Sequence, residues 1–241
     1  DANAGASGAV IVDHVSFQIQ RGEVLALIGE SGSGKTTIAL ALLGHTRRGC
    51  GITDGSIRIG DLDIRALAPA ALAKIRGTRV AYVAQSAAAS FNPAHTLMDQ
   101  VIESGLIHGI AARAELESRA VALFRSMSLP DPENIGQRYP HQVSGGQLQR
   151  VMAAMALVGD PDLVIFDEPT TALDVTTQIE VLQSFRDVLQ QRGTTAVYVS
   201  HDLAVVSQVA DRIVVLQRGR TCESGSMQQV LGAPQDAYTQ S

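Results

Sequence analysis

The chain of 241 residues carries 19 lysine and arginine residues against 24 aspartate and glutamate residues, for a formal net charge of −5 at pH 7. This acidic balance disfavours proteins that coat nucleic acid or anionic lipid, so we expect no nucleic-acid partner. Hydrophobic residues make up 45% of the chain and charged residues 18%, which excludes a disordered protein. No apolar run approaches the roughly 18–20 residues of a membrane-spanning helix, so we expect the chain itself to be soluble.

The first elements of the chain follow the order strand, glycine-rich loop, helix. Short strands are predicted over residues 10–12 and 15–19. Residues 24–28 form a continuous apolar run that is bounded by glycines and too short for a helix, which predicts a buried strand. Residues 36–43 are rich in alanine and leucine and precede Gly44, which predicts a helix that ends there.

The middle of the chain is mainly helical, with helical patterns over about residues 96–127 and 145–158. Strands and helices alternate again after it, with predicted strands over residues 163–166, 195–200 and 212–216 and a predicted amphipathic helix over residues 176–190.

This alternation predicts one α/β domain over residues 1–241. We expect residues 1–85 and 161–241 to form its α/β core, and residues 86–160 to form a helical subdomain inserted into that core.

Residues 29–36 match the pattern G-x-x-x-x-G-K-[ST] at every fixed position. Glycines let successive N–H groups converge on phosphate oxygens, and the N-terminus of the following helix adds positive potential. We expect Lys35 to reach the β- and γ-phosphates of a nucleotide and the Thr36 hydroxyl to ligate Mg²⁺. Phosphate binding is predicted for the whole segment and the threonine after it: Gly29, Glu30, Ser31, Gly32, Ser33, Gly34, Lys35, Thr36 and Thr37.

Two carboxylates, Asp167 and Glu168, follow the predicted strand 163–166. In open α/β sheets, ligands bind beyond the carboxyl ends of the strands, which is where these residues lie. We expect Asp167 to hold Mg²⁺ through water or through Thr36, and Glu168 to orient or deprotonate the attacking water. Alone, the segment is equally typical of a turn before Pro169, but phosphoryl transfer needs both a phosphate loop and such a pair.

A second glycine motif, Ser144-Gly145-Gly146-Gln147, begins the predicted helix 145–158. Ser144 is a good N-cap, and taken by itself the motif is a capped helix after a loop. Together with the phosphate loop, however, it resembles the signature motif of the ATP-binding cassette (ABC) ATPases. Gln85 resembles the glutamine of that family's Q-loop, Asp174 the aspartate of its D-loop and His201 its switch histidine.

The resemblance implies a P-loop NTPase core of the ABC ATPase type, with an N-terminal antiparallel β part and a helical subdomain that carries the signature motif. It implies ATP and Mg²⁺ as cofactors, with Gln85 sensing the γ-phosphate and the metal, and His201 contacting the γ-phosphate. It also implies a head-to-tail dimer with a second ABC subunit, identical or different. Ser144, Gly145, Gly146 and Gln147 would contact the ATP held by the partner's phosphate loop, and Asp174 would lie in the same interface.

Three further segments resemble ABC importers of oligopeptides, dipeptides and nickel: residues 90–93 (Ser-Phe-Asn-Pro), 139–142 (Tyr-Pro-His-Gln) and 233–239. In the last of these, Asp236 and Ala237 replace the His-Pro of those importers. The implied protein is a peripheral ATPase at the cytoplasmic face of the membrane, with permease subunits and a substrate-binding protein as partners. The alternative is a soluble ABC ATPase of a metabolic complex, such as phosphonate carbon–phosphorus lyase.

Two features depart from the family pattern. Residues 5–10, where members carry an aromatic residue that stacks on adenine, contain no aromatic residue. Residues 86–89 read Ser-Ala-Ala-Ala, where members commonly have Asp-Pro after the Q-loop glutamine. The resemblance leaves open the cargo, the identity of the second ATPase subunit, and whether this chain is half of a longer protein with two ATPases.

Overall fold

The computed structural model describes residues 2–4 and 8–240. Within these ranges the strands are β1 (Ala2–Ala4), β2 (Ala9–Val12), β3 (Val24–Ile28), β4 (Cys50–Ile52), β5 (Arg58–Ile59), β6 (Leu62–Asp63), β7 (Val80–Val83), β8 (Leu163–Asp167), β9 (Thr195–Ser200), β10 (Arg212–Gln217) and β11 (Arg220–Ser226). The helices are α1 (Lys35–Leu42), α2 (Pro69–Ile75), α3 (Ala87–Ser90), α4 (Leu97–Ile107), α5 (Arg113–Ser126), α6 (Gly145–Leu157), α7 (Val175–Arg192), α8 (Leu203–Val206), α9 (Met227–Gly232) and α10 (Ala237–Gln240).

The described residues divide into two compact units, each with its own core. The first unit contains the residues up to Ala73 and those from Thr195 onward, and the second contains Lys74–Thr194. The predicted helical subdomain, residues 86–160, falls within the second unit, and the division into a core and a subdomain stays a prediction. The two ends of the predicted domain, residues 1 and 241, lie outside the described residues.

Parallel strands form the centre of the first unit. Strand β3 pairs in parallel with β10 on one side and β9 on the other, and β11 pairs antiparallel with β10. All five residues of β3 are buried, and Leu25 and Leu27 are completely so. A run of consecutive buried aliphatic residues is typical of a parallel strand covered on both faces. The predicted α/β class is therefore confirmed, as is the succession of strand, glycine loop and helix.

A separate antiparallel sheet contains β1 between β2 and β4, so its first two strands come before β3 in the chain and its third comes after α1. The predicted N-terminal antiparallel part is thus present. The prediction of a strand over residues 15–19 was wrong, because these residues have no regular secondary structure. His14 has a φ of +53°, which ends the extended chain after β2, and the carbonyl oxygen of Gln18 accepts a hydrogen bond from the Arg212 side chain rather than from a neighbouring strand.

The second unit packs helices around the parallel pair β7 and β8. Helix α6 packs against α4, α5 and α7, and its apolar face is buried. The long helical pattern over residues 96–127 is two helices, because Gly109 adopts a φ of +63° just after α4 and reverses the chain before α5. Across the described part of the chain, no helix combines the length and apolar character needed to cross a membrane.

Candidate functional site

The phosphate loop connects β3 to α1 in the first unit. Gly29 has a φ of +153° and Gly34 a φ of +99°, and a Cβ at Gly29 would collide with the backbone oxygen of Leu216. A Cβ at Gly34 would approach Cγ2 of Val12 to 2.9 Å. Two of the predicted glycines are therefore required by both backbone conformation and close packing.

Lys35 lies inside the loop that precedes it. Its side chain is 5% exposed, and its Nζ donates hydrogen bonds to the backbone oxygens of Gly29 at 2.6 Å and Glu30 at 2.9 Å. The backbone oxygen of Ser33, in the same loop, accepts a hydrogen bond from the N–H of Gly219 at 3.1 Å. The loop is thus wrapped around an ammonium group and fastened to the turn between β10 and β11.

The donor groups of this loop fit an anionic phosphate group. The Ser33 hydroxyl is buried and has no hydrogen-bond partner among the described residues. The first turn of α1 contains no acidic residue that would compete for its N–H groups. A helix N-terminus, a lysine ammonium and a buried hydroxyl together supply donors and positive potential, as phosphate oxygens require.

His201 lies close in the fold to the beginning of this loop. Strand β9 runs parallel to β3 with Ser200 opposite Ile28, so the residues that follow both strands emerge at the same edge. The Ser200 hydroxyl accepts the N–H of Asp202 at 3.0 Å, and Asp202 caps α8. His201 follows Ser200 directly, at the carboxyl end of β9, and hydrogen bonds fix the residues on both sides of it. Its own side chain is exposed.

Gln85, Asp167 and Glu168 come together in the second unit. Strands β7 and β8 are parallel, with Val83 opposite Phe166, so the residues that follow both strands meet at their carboxyl ends. Nε2 of Gln85 donates a hydrogen bond to Oε2 of Glu168 at 3.3 Å. Gln85 and Glu168, to which the sequence analysis gave separate roles, are therefore in direct contact.

Asp167 has a partner that the sequence analysis did not identify. The hydroxyl of Tyr82 donates a hydrogen bond to Oδ2 of Asp167 at 2.6 Å, and Asp167 is only 6% exposed. Tyr82 is the one polar side chain of β7, Val80–Val83. A hydroxyl in an otherwise aliphatic strand was the available signal, since a buried tyrosine hydroxyl generally finds a partner.

The backbone of Glu168 is strained. Its φ is +49°, a left-handed conformation that costs a residue with a Cβ about 1–2 kcal/mol. The Thr171 hydroxyl donates to the backbone oxygen of Glu168 at 2.8 Å and stabilises this turn. Strain of this kind concentrates at functional sites, where the surrounding structure holds it.

The signature motif begins α6 in the second unit. The Ser144 hydroxyl accepts the N–H of Gln147 at 3.3 Å, and the Gln147 side chain accepts the N–H of Ser144 at 3.0 Å, which makes a capping box. A Cβ at Gly146 would collide with Cγ2 of Thr177, whereas one at Gly145 would be 3.4 Å from Leu173. The second glycine is therefore needed for packing, and the side chain of Gln147 stabilises the helix end.

Thr177 links the signature motif to Asp174, a role that the sequence analysis missed. Asp174 caps α7 and accepts the Thr177 N–H at 3.0 Å and the Thr177 hydroxyl at 2.7 Å. These hydrogen bonds lower the pKa of Asp174 below its usual range. Arg150, on α6, reinforces the same region by donating to the backbone oxygen of Gly146 at 3.3 Å.

The predicted site residues thus form two groups. The phosphate loop and His201 are assembled in the first unit, and Gln85, Asp167, Glu168, residues 144–147 and Asp174 are assembled in the second. Of residues 5–10, where an adenine-stacking aromatic is absent from the sequence, residues 5–7 lie outside the described part of the chain.

Comparisons with known proteins connect these groups to one family. The sequence pattern of the family described as ABC transporter matches residues 12–171. The oligopeptide transport ATP-binding protein AppD of Bacillus subtilis is 40% identical over 95% of this chain and 70% of its own length. The peptidoglycan transport ATP-binding protein YejF of Agrobacterium fabrum is 41% identical over 98% of this chain, which spans 43% of YejF.

A solved structure gives the same result. The ATP-binding cassette MJ0796, determined as a dimer in a post-hydrolysis state with ADP and phosphate, superposes with a TM-score of 0.76. Its sequence is 27% identical, and the superposition covers 90% of each chain. The resemblance drawn from the motifs is confirmed, and the chain belongs to the ABC transporter family.

Proposed function

We propose that the chain is the ATP-binding and ATP-hydrolysing motor of an ABC importer that takes up peptides or nickel. The observation that carries the proposal is the phosphate loop closed around Lys35, with Gly29 and Gly34 at positive φ values that residues with a side chain rarely adopt. AppD and YejF, which align with nearly the whole chain, are named as transport ATP-binding proteins, which favours a transporter over an accessory ATPase of a metabolic complex.

The phosphate groups of ATP are bound by residues 29–37, with Lys35 contributing the positive charge. Thr36, Asp167 and Gln85 are the proposed ligands or orienting groups for Mg²⁺. Hydroxyl, carboxylate and amide oxygens are hard donors of the type that this ion prefers. When bound, Mg²⁺ neutralises charge on the β- and γ-phosphates.

Glu168 is the proposed general base, which accepts a proton from the attacking water. Its contact with Gln85 fixes the orientation of the carboxylate at the end of β8. A positioned base contributes about 10²–10⁴-fold to the rate of such a reaction. His201 contacts the γ-phosphate in this proposal, from the strand end that adjoins the phosphate loop.

The active form is proposed to be a head-to-tail dimer with a second ABC subunit. Ser144 and the N–H groups of Gly145 and Gly146 would bind the γ-phosphate held by the partner's phosphate loop, as a capped helix N-terminus can. Asp174 would lie in the same interface. Membrane permease subunits and a substrate-binding protein complete the importer, and the ATPase is placed at the cytoplasmic face of the membrane.

One experiment tests the nucleotide site and a second tests the transport role. ATP affinity and hydrolysis are measured for the chain and for Lys35→Ala, with Lys74→Ala, an exposed lysine on α2, as the control. The proposal requires that only Lys35→Ala loses ATP affinity. The tagged chain is then purified from its native host in detergent. Recovery of membrane permeases supports the importer, and recovery of a metabolic enzyme complex instead would overturn it.

A further inference from the structure

The C-terminal segment of the chain returns to the phosphate loop. Its last helix, α10, carries Tyr238, and the Tyr238 hydroxyl accepts a hydrogen bond from the backbone N–H of Glu30 at 3.1 Å. The two residues are 208 positions apart in the sequence. Tyr238 belongs to the segment 233–239, which the proposed ATPase chemistry does not use, and its side chain is half-buried.

The segment is anchored by a carboxylate on β11. Oε1 of Glu223 accepts the N–H of Gln235 at 2.9 Å, and Oε2 accepts the N–H of Asp236 at 3.1 Å. These two hydrogen bonds lower the pKa of Glu223, so the anchor is a carboxylate at neutral pH. Asp236 in turn accepts the N–H of Tyr238 at 2.9 Å, which sets the start of α10. A continuous series of hydrogen bonds therefore runs from β11 to the loop.

The peptide groups of Glu30 are held from both sides. The N–H is held by Tyr238, while the carbonyl oxygen accepts the Lys35 ammonium at 2.9 Å and the N–H of Ser33 at 3.1 Å. The Glu30 N–H shares one planar peptide group with the carbonyl oxygen of Gly29, which accepts the Lys35 ammonium at 2.6 Å, so the hydrogen bond from this N–H to Tyr238 orients that carbonyl directly. A change in Tyr238 therefore acts on Lys35 through the peptide group that joins Gly29 to Glu30.

We propose that Tyr238 is a positioning residue for the phosphate loop, which holds Glu30 and thereby Lys35 in the arrangement that binds nucleotide. This inference rests on the proposed nucleotide-binding function. Tyr238 then supports the nucleotide site although it does not touch the nucleotide. Loss of one neutral hydrogen bond changes an equilibrium by about two- to tenfold, which sets the size of the expected effect.

The test compares the full chain with Tyr238→Phe, which keeps the ring and removes only the hydroxyl. The matched control is Gln235→Ala, which removes an exposed side chain of the same segment but keeps the backbone N–H that binds Glu223. Three quantities are measured for each: hydrogen exchange of the Glu30 amide without nucleotide, the Kd for ATP, and kcat at saturating ATP. Thermal unfolding of the nucleotide-free protein shows whether overall stability has changed.

We expect the Glu30 amide of Tyr238→Phe to exchange faster and the Kd to rise about two- to tenfold, with kcat within twofold and a melting temperature that falls by no more than about 2–4 °C. Glu223→Ala, which releases the anchor, should raise the Kd for ATP by a similar factor. The double variant Tyr238→Phe/Glu223→Ala should have a Kd no higher than that of the weaker-binding single variant, because both changes act on the same contact. Gln235→Ala should match the unmodified chain.

The proposal is overturned if the unmodified chain binds ATP and Tyr238→Phe has the same or a lower Kd. A lower Kd would mean that the tyrosine competes with the nucleotide rather than positioning the loop. It is also overturned if Gln235→Ala raises the Kd equally, because the effect would then belong to the segment as a whole. Failure of the unmodified chain to bind ATP would instead reject the proposed function, while the Glu30 exchange rate still decides whether the tyrosine holds the loop.

Discussion

The hydroxyl of Tyr82 on β7 donates a hydrogen bond of 2.6 Å to Oδ2 of Asp167 at the end of β8. The two strands are parallel, and Tyr82 pairs in register with Ile165, two residues before Asp167. A tyrosine is long enough to cover that distance along the sheet. The carboxylate proposed to hold Mg²⁺ is thus oriented by a neutral donor on the neighbouring strand.

Replacing Tyr82 with phenylalanine should lower the free energy of unfolding by about 1–3 kcal/mol, because a nearly buried carboxylate loses a hydrogen-bond donor. The Mg²⁺ concentration that gives half-maximal ATP hydrolysis should rise as Asp167 becomes less well oriented. Denaturant unfolding and a Mg²⁺ titration measure the two effects. Tyr139→Phe, at a more exposed tyrosine of the same unit, is the control and should change neither quantity appreciably.

Replacing Glu168 with glutamine should lower kcat for ATP hydrolysis by about 10²–10⁴-fold, because the amide cannot accept the proton. The shape of the side chain is kept, so ATP binding and dimer formation should persist. Single-turnover hydrolysis and size-exclusion chromatography with ATP measure both properties. Normal turnover in this variant would contradict the role assigned to Glu168.

Replacing Lys35 with alanine should weaken ATP binding strongly and also loosen the loop. The variant removes a cation and leaves the carbonyl oxygens of Gly29 and Glu30 without their buried donor. Equilibrium binding of a fluorescent ATP analogue measures the first effect, and hydrogen exchange over residues 29–35 measures the second. An affinity equal to that of Lys74→Ala would be incompatible with the proposed loop.

The two glycines of the signature motif should respond differently to alanine. Gly146→Ala should destabilise the protein by about 1–3 kcal/mol, because its Cβ collides with Cγ2 of Thr177. Gly145→Ala should be nearly neutral, since its Cβ meets Leu173 only at 3.4 Å. Thr177→Ser removes the colliding methyl group and keeps the hydroxyl that binds Asp174, so it should partly rescue Gly146→Ala. Chemical denaturation of the four variants checks this, and equal losses at both glycines would refute it.

The N-cap of α7 should make stability depend on pH in the acid range. The pKa of Asp174 is lower in the folded protein than in the unfolded chain, because Thr177 donates two hydrogen bonds to the carboxylate. Its contribution is therefore complete above the unfolded pKa of about 3.9 and is lost as the pH falls through the lower folded value. The stability difference between the unmodified chain and Asp174→Asn, measured by urea unfolding, should shrink from pH 7 to pH 3. A difference that stays constant would contradict the assignment.

The sequence predicted best what local pattern controls. The spacing of Gly29, Gly34 and Lys35 identifies the phosphate loop because each residue acts on neighbours a few positions away. The buried strand β3 was predicted from five consecutive apolar residues, which is also a local pattern. The predicted strand at residues 15–19 failed because alternation alone does not provide a partner strand, and the backbone turns at His14.

The contacts that the sequence did not predict join residues far apart in the chain. Tyr82 and Asp167 are 85 positions apart, and Tyr238 and Glu30 are 208 positions apart. The pairing and register of β7 and β8 decide the first contact, and the anchoring of the C-terminal segment on Glu223 of β11 decides the second. Thr177 is near Asp174 in sequence, but its packing against Gly146 depends on how α6 and α7 cross.

The carbonyl oxygens that surround the Lys35 ammonium have a further consequence for binding. The loop is preorganised by its own lysine, so the conformational entropy of ordering these residues is lost when the protein folds and is not lost again when nucleotide arrives. The binding free energy of each new nucleotide then comes from direct contacts, and little of it is spent on ordering the loop. A motor that must release product and rebind substrate in every cycle can do so without its phosphate loop disordering in between.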